Sequence, residues 1–254
     1  MKIVAIIQAR MGSTRLPGKA LITIADKTVL EHVIQRVQAC RLVNEVVVAT
    51  TGSKGDLPIV KLCAEQGISV YCGSENDVLD RYYQAANLFK AKTVIRITAD
   101  CPLMDPRVIE MVLRKHLQAG ADYTSNTINE TFPDGEDVEV FSFAALAKAW
   151  QEAKFASERE HVTPYIRKAA NGFKLAGVSS EIDLSRKRWT LDNQEDLLFI
   201  NKIFAGLYAK DPLFGLKDIL AFLAANPALE EINCHLSRNE GYAKSLREDK
   251  LVRS

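Results

Sequence analysis

The chain has no Cys-x-x-Cys pair, no two histidines at a helix-turn spacing, no apolar run near the length of a membrane span, and no surplus of either charge. Each absence removes a class of protein. The five cysteines, Cys40, Cys63, Cys72, Cys101 and Cys234, are odd in number and scattered, as are the four histidines at 32, 116, 161 and 235. Zinc needs clustered ligands, so the thiols read as reduced and mostly buried, and a histidine metal site is not expected. The first apolar run, Ile3 to Ile7, stops at Gln8 and Arg10. It is too short to span a bilayer and has no cleavage region, so the expectation is a cytoplasmic protein that makes no membrane contact. Lys and Arg total 33 against 32 Asp and Glu. With that balance and no stripe of aromatic and basic residues, a nucleic-acid partner is not expected.

What is there is an ordinary globular composition. The 254 residues are 47% hydrophobic and 26% charged, which excludes a disordered or collagen-like chain and is enough for a core that needs no disulfide or structural metal. Four short apolar runs, Lys2–Ala9, Glu45–Thr50, Ile68–Cys72 and Thr93–Thr98, have the near-continuous hydrophobicity of strands buried on both faces of a parallel sheet. The segments between them have a helical period. One helix follows Thr28, with Glu31 placed to close a capping box. A second opens at Asp56-Leu57-Pro58 with proline in its first turn. A third runs from Asp77 to about Lys90, and a fourth from Asp105-Pro106 to Gln118, before Gly120. Strands joined by crossover helices predict an α/β, Rossmann-like domain with a mostly parallel sheet flanked by helices.

After residue 121 the rhythm changes. Asp122–Asn126 and Asp137–Phe141 read as strands around a polar loop, Thr127–Glu136, that carries Pro133-Asp134-Gly135. Helices are expected at Ser142–Lys154, at Glu158–Asn171 with Ser157 as its cap, at Gln194–Tyr208 and at Leu216–Ala225. Further strands are expected at Phe173–Val178 and Arg188–Leu191. Without a repeat or a linker, the chain reads as a single domain over 1–254, with a first half 1–121 and a second half 122–254 that carries a small inserted substrate lobe.

The most informative stretch is the turn after the first strand, Arg10-Met11-Gly12-Ser13-Thr14-Arg15-Leu16-Pro17-Gly18-Lys19. Ligands of open parallel sheets bind beyond the carboxyl ends of the strands. Glycines let a backbone approach an anion, and Arg10, Arg15 and Lys19 together suit a polyphosphate. A solvated basic turn is the alternative. It is neither of the familiar phosphate loops: five residues separate Gly12 from Gly18-Lys19, Ala20 stands where the magnesium-binding hydroxyl belongs, and no G-x-G-x-x-G is present. Asp100 and Asp192 each end a predicted strand, where two distant carboxylates can converge on a divalent ion, or each simply caps the helix that follows. Glu195 and Asp196 read as charges of a first helical turn. Asp137 and Glu139 alternate with Val138 and Val140, so that strand has an acidic face that suits a polar cavity or a solvated edge.

Gln8-Ala9-Arg10-Met11-Gly12-Ser13-Thr14-Arg15-Leu16-Pro17-Gly18-Lys19 closely resembles the N-terminal signature of the CMP-sugar cytidylyltransferases. The SpsF-type branch, named for spore coat polysaccharide biosynthesis, is the nearest match; CMP-Kdo synthetases and acylneuraminate cytidylyltransferases are more distant. The resemblance continues in Ile97-Thr98-Ala99-Asp100-Cys101-Pro102-Leu103, Asp134-Gly135-Glu136-Asp137-Val138-Glu139-Val140-Phe141, Ser157-Glu158-Arg159-Glu160-His161-Val162-Thr163-Pro164-Tyr165, Trp189-Thr190-Leu191-Asp192-Asn193-Gln194-Glu195-Asp196 and Arg238-Asn239-Glu240-Gly241-Tyr242. Ala99 departs from the glycine many relatives carry there.

The resemblance implies a nucleotidyltransferase fold and a reaction in which CTP and a sugar hydroxyl, of an acidic 2-keto-3-deoxy sugar, give a CMP-sugar and pyrophosphate in cell-surface polysaccharide biosynthesis. It implies a nucleotide site of Ala9, Arg10, Gly12, Ser13, Arg15, Lys19 and Thr98, catalytic roles for Arg10, Arg15, Lys19 and Asp100, and magnesium held by Asp100 and Asp192. It places Glu139, Glu160 and His161 at the sugar, with Glu139 or His161 as general base, and leaves Arg159 for the acid's carboxylate or a neighbouring glutamate. A homodimer is the usual assembly. Two other readings remain: another nucleoside triphosphate used with a sugar phosphate, and a non-catalytic, nucleotide-binding regulatory domain.

Overall fold

A computed structural model describes residues 1–238 and 240–252, so Asn239 of the last motif lies outside the described residues. The chain begins with β1 (Ile3–Gln8), followed by a small antiparallel hairpin of β2 (Thr23–Ile24) and β3 (Lys27–Thr28) and then α1 (Val29–Gln38). Three further strand and helix pairs follow: β4 (Glu45–Thr51) and α2 (Leu57–Glu65), β5 (Ser69–Gly73) and α3 (Val78–Leu88), β6 (Thr93–Thr98) and α4 (Pro106–Ala119). The second half adds β7 (Tyr123–Ser125), β8 (Glu139–Ser142), α5 (Phe143–Glu152), α6 (Ala156–His161), α7 (Pro164–Arg167), β9 (Leu175–Gly177), α8 (Gln194–Leu207), α9 (Leu216–Ala225) and α10 (Glu240–Arg247).

Seven strands form one sheet in the order β5-β4-β1-β6-β8-β7-β9. β8 runs against both of its neighbours, and every other pair is parallel. The sheet is thus mostly parallel, as the apolar runs predict. The chain leaves β1 toward β4 on one side and returns to β6 on the other, so the order reverses at β1. That reversal opens a crevice beyond Gln8 and Thr98. Side chains of alternate residues separate two cores. Ile3, Ala5 and Ile7 pack under α1, α2 and α4, while Val4 and Ile6 pack with Tyr82 and Ala85 of α3 and Leu146 of α5. A third core gathers Trp189, Leu191, Phe199, Phe204, Phe214 and Ile219 beneath α8 and α9.

Local chemistry sets the helix ends. The Thr28 hydroxyl accepts from Glu31 N while Glu31 Oε2 accepts from Thr28 N at 2.7 Å, closing the predicted capping box of α1. Asp77 caps α3 through Asp80 N, and Asp105 caps α4, which ends at Gly120 in a left-handed conformation. Three expectations are corrected. The segment Glu158–Asn171 is not one helix. It breaks at Val162, whose φ is +71°, and a new short helix opens at Pro164, which has no N–H with which to continue the first. Ser157 is not the cap: Phe155 occupies that place, and Ser157 bonds Asp249 instead. Arg188–Leu191 is extended but is not a strand of the sheet. Its backbone bonds go to two loops, Trp189 N to Asp134 O at 2.6 Å and Leu191 N to Asp100 O at 2.8 Å. Gly135 makes this approach possible, because a Cβ there would lie 2.6 Å from the backbone of Trp189 and of Thr190. No helix among the described residues is long and apolar enough to cross a membrane.

Candidate active site

The turn after β1 is fixed from both sides. Asp56, at the head of α2, makes no cap; its carboxylate accepts from Met11 N at 2.7 Å and from the Thr51 hydroxyl at 2.5 Å, tying the turn to the end of β4. Leu16 is buried in the third core. Gly18, with φ at +72°, turns the chain so that Lys19 points back over the sheet edge.

Lys19 Nζ lies 2.5 Å from Asp100 Oδ2 and 2.5 Å from Asp192 Oδ1, so the two carboxylate oxygens are no more than twice that distance apart. Asp100 reaches this point from the turn after β6. Asp192 is delivered by the 188–191 segment, through the very bond between Leu191 N and Asp100 O that takes that segment out of the sheet. Arg15 stands beside them, 2.8 Å from Asp192 Oδ2 and 3.1 Å from Glu240 Oε2 of α10. Arg188, buried, holds Asp192 from behind while its main bonds go to Asp196 and Asp134. Asp196 is in the first turn of α8, as expected, but is fully buried and anchors Arg188.

Burial acts against the charged form of Lys19, yet Asp100 and Asp192 outweigh it and raise the ammonium pKa. Burial likewise acts to raise Asp100, but Lys19 holds that carboxyl at about 2. Lys19 and Asp100 are therefore both ionised throughout the neutral range. Two other carboxyl groups at the cavity behave differently. Burial pushes Asp137 up to about 7 and Asp134 up to about 6, the latter reinforced by Asp100 and Asp192 and opposed by Arg238 and Arg188. A carboxyl that holds its proton more tightly when folded stabilises the fold at low pH and loses that contribution as pH rises through its folded pKa. Asp134→Asn should therefore gain in Tm relative to the parent protein as pH rises from about 4 to about 7. A Tm difference that stays constant over that range, measured by calorimetry, would contradict the assignment.

These groups border one cavity of about 1070 Å³ that runs from the β1 turn to α6 and α10. Ala9, Arg10, Ser13, Arg15, Lys19, Thr98, Asp100, Glu139, Glu160, His161 and Asp192 all line it; Gly12 does not. At the far end both oxygens of Glu139 are engaged. It accepts from Arg96, from the Tyr123 hydroxyl at 2.6 Å and from the Thr163 hydroxyl at 2.5 Å. Burial alone would raise its pKa, but Arg96 and those hydroxyls hold it below the usual carboxylate range. Burial keeps His161 below its ordinary pKa and hence neutral at pH 7. Its Nε2 is 2.9 Å from Ser245 Oγ, which also donates to Glu160. Arg159 chelates Asp77 through Nε and Nη2, the latter at 2.6 Å, so its acidic partner is an aspartate and not a glutamate. Arg96 and Arg188 are the residues that sequence reasoning missed. For Arg96 the signal was present, a lone charge inside Thr-Val-Ile-Arg-Ile-Thr. For Arg188 there was none beyond its place before Trp189.

A family model described as cytidylyltransferase matches residues 4–224. An uncharacterized protein of Methanocaldococcus jannaschii is 37% identical over 95% of this chain and 98% of its own length. The spore coat polysaccharide biosynthesis protein SpsF of Bacillus subtilis is 29% identical over 89% of this chain and 95% of its own. Among solved structures, a cytidylyltransferase from Leptospira borgpetersenii superposes with a TM-score of 0.86 at 32% identity, covering 91% of this chain and 97% of that one.

Proposed function

The chain belongs to the cytidylyltransferase family, and on that premise we propose that it transfers CMP from CTP to the hydroxyl of an acidic 2-keto-3-deoxy sugar and releases pyrophosphate, serving the assembly of a cell-surface polysaccharide. The observation that carries this reading is the meeting of Lys19, Asp100 and Asp192 at the sheet edge. The choice of nucleotide and acceptor draws on relatives. A 3-deoxy-manno-octulosonate cytidylyltransferase of Geobacter sulfurreducens is 38% identical over 43% of this chain and 43% of its own length.

The chemistry is the attack of a sugar oxygen on the α-phosphorus. The new O–P bond forms as the bond to the α–β bridging oxygen breaks, and pyrophosphate leaves in line. Catalysis of this kind is mostly positioning and charge stabilisation. Arg10 attends the α-phosphate, and Arg15 and Lys19 stabilise the charge that builds on pyrophosphate, exchanging their present carboxylate partners for phosphate oxygens. Ala9, Ser13 and Thr98 form the wall against which the nucleotide lies. The attacking hydroxyl must lose a proton. Glu139 is a poor acceptor in its present bonds, whereas neutral His161 has the form a base needs.

The donor set fits a magnesium ion. Two carboxyl groups converge on one cationic centre, and magnesium favours one or two carboxylates with phosphate and water oxygens. Among the described residues no group of three or more acidic, histidine or cysteine side chains is disposed to hold a metal, so Asp100 and Asp192 would hold it together with the nucleotide. When bound, the ion would neutralise phosphate charge and acidify the attacking hydroxyl.

Pyrophosphate release tests the proposal. With CTP, UTP, GTP and ATP each offered against 2-keto-3-deoxy sugar acids and sugar phosphates, release is expected with CTP and an acid. Release with UTP or GTP and a sugar phosphate, and none with CTP, would contradict it.

A further inference from the structure

Apart from Arg10 of the β1 turn, the arginines that line the cavity fall into two groups. Arg15, Arg159 and Arg188 are each held by carboxylates, and Arg81 is held by the carbonyls of Ser74 and Glu75. Arg96 and Arg167 are under-used. Arg96 sits in the interior of β6, directly opposite Glu139 of β8, in a position where a charge is costly unless its hydrogen bonds are met. Its Nη1 donates to Glu139, but its Nε is buried without a partner, and among the described residues its Nη2 forms no hydrogen bond. Glu139 meets the fork through Oε2 alone, because Tyr123 and Thr163 occupy its other oxygen. Its effect is to fix the Arg96 fork in place at the cavity wall. Arg167, exposed on α7, has one long contact, 3.4 Å to Thr127 O.

Away from the β1 turn, therefore, two cavity-lining arginines keep donors that no protein acceptor meets. Arg96 Nη2 and the Arg167 fork suit an oxyanion, with which guanidinium groups make charge-assisted hydrogen bonds. Arg10, Arg15 and Lys19 already provide cations for the triphosphate at the opposite end. We infer that Arg96, with Arg167, binds an oxyanion carried by the acceptor itself, a carboxylate or a phosphate monoester, and so selects charged acceptors over neutral ones. Glu139 then acts as the positioning residue that aims Arg96. The inference rests on the reading that an acceptor enters this cavity beside the nucleotide.

Calorimetric titration of the full-length protein tests it without turnover. The probes are 3-deoxy-manno-octulosonate with its methyl ester and a hexose 1-phosphate with the free hexose, each added in the presence of CMP. CTP is titrated separately. The expected result is that one charged probe binds about tenfold or more tightly than its neutral counterpart. Arg96→Gln and Arg167→Gln should each erase most of that preference, with CTP affinity changed by less than about twofold. The carboxylate and phosphate pairs identify which oxyanion is read. Since Arg96→Gln deprives buried Glu139 of its charge partner, Arg167→Gln, at an exposed site, keeps the test valid if that variant does not fold. No preference for the charged member of either pair, an unchanged preference in Arg167→Gln, or a parallel loss of CTP affinity would overturn the inference. A parent protein that fails to bind CTP while still preferring a charged probe would overturn the proposed function and leave this inference standing.

Discussion

Lys19→Ala should lower turnover by about a hundred- to a thousandfold with the fold retained, the range seen when one preorganised charge-stabilising donor is removed. The reason is geometric. Lys19 is the cation that the site places between its two convergent carboxylates, and it is fixed there by the left-handed turn at Gly18 and by Leu16 buried in the third core. No neighbour substitutes for it, since Arg15 is already shared between Asp192 and Glu240. The loss should fall on kcat more than on KM, because charge on the leaving pyrophosphate grows in the transition state. A second consequence distinguishes this role from a generic one. With the ammonium gone, Asp100 and Asp192 lose a competitor, so half-maximal activity should be reached at lower magnesium than in the parent. Steady-state kinetics at varied magnesium, with circular dichroism as the fold control, checks both. Near-normal turnover would contradict the role.

Asp100→Asn should also lower kcat by about a thousandfold, since the several kcal/mol of transition-state stabilisation attributed to a metal and its carboxylates correspond to that factor. Its magnesium response should be the reverse of the lysine variant: a higher concentration at half-maximal activity, because one of the two carboxylates is gone. The fold should tolerate the change. Lys19 keeps its 2.5 Å contact with Asp192, and the backbone carbonyl of Asp100, which accepts from Leu191 N, is untouched. If the two variants shifted the magnesium requirement in the same direction, Lys19 and Asp100 would not be acting on opposite sides of one cation site.

Much of this was legible in the chain itself. The apolar run Thr93–Thr98 and the helix Leu216–Ala225 are where periodicity put them, Thr28 is the cap it was expected to be, and Asp77 and Asp105 stand at the heads of the helices they were expected to open. Local signals suffice there because caps and buried strands are set by residues a few places apart. The break at Val162 was partly legible too, in Pro164, but the helical spacing on either side masked it. Arg188–Leu191 was not legible. Its apolar alternation is that of a strand, while its partners are two loops, and backbone pairing over such separations leaves no local trace. Lys19, Asp100 and Asp192 were legible in part: their places after predicted strands allowed a meeting at one sheet edge, but helix capping remained an alternative for the aspartates until the resemblance joined them. The set of bonds at Glu139 is further still from the sequence, since its three donors come from β6, β7 and the turn between α6 and α7.

The most direct test of the account is a crystal structure of the protein soaked with CTP and manganese, read by anomalous scattering. The account predicts a manganese peak in contact with the carboxylates of Asp100 and Asp192, and Lys19 Nζ moved off them onto the β- or γ-phosphate. A nucleotide bound elsewhere, or a metal peak away from both aspartates with Lys19 still bridging them, would contradict it.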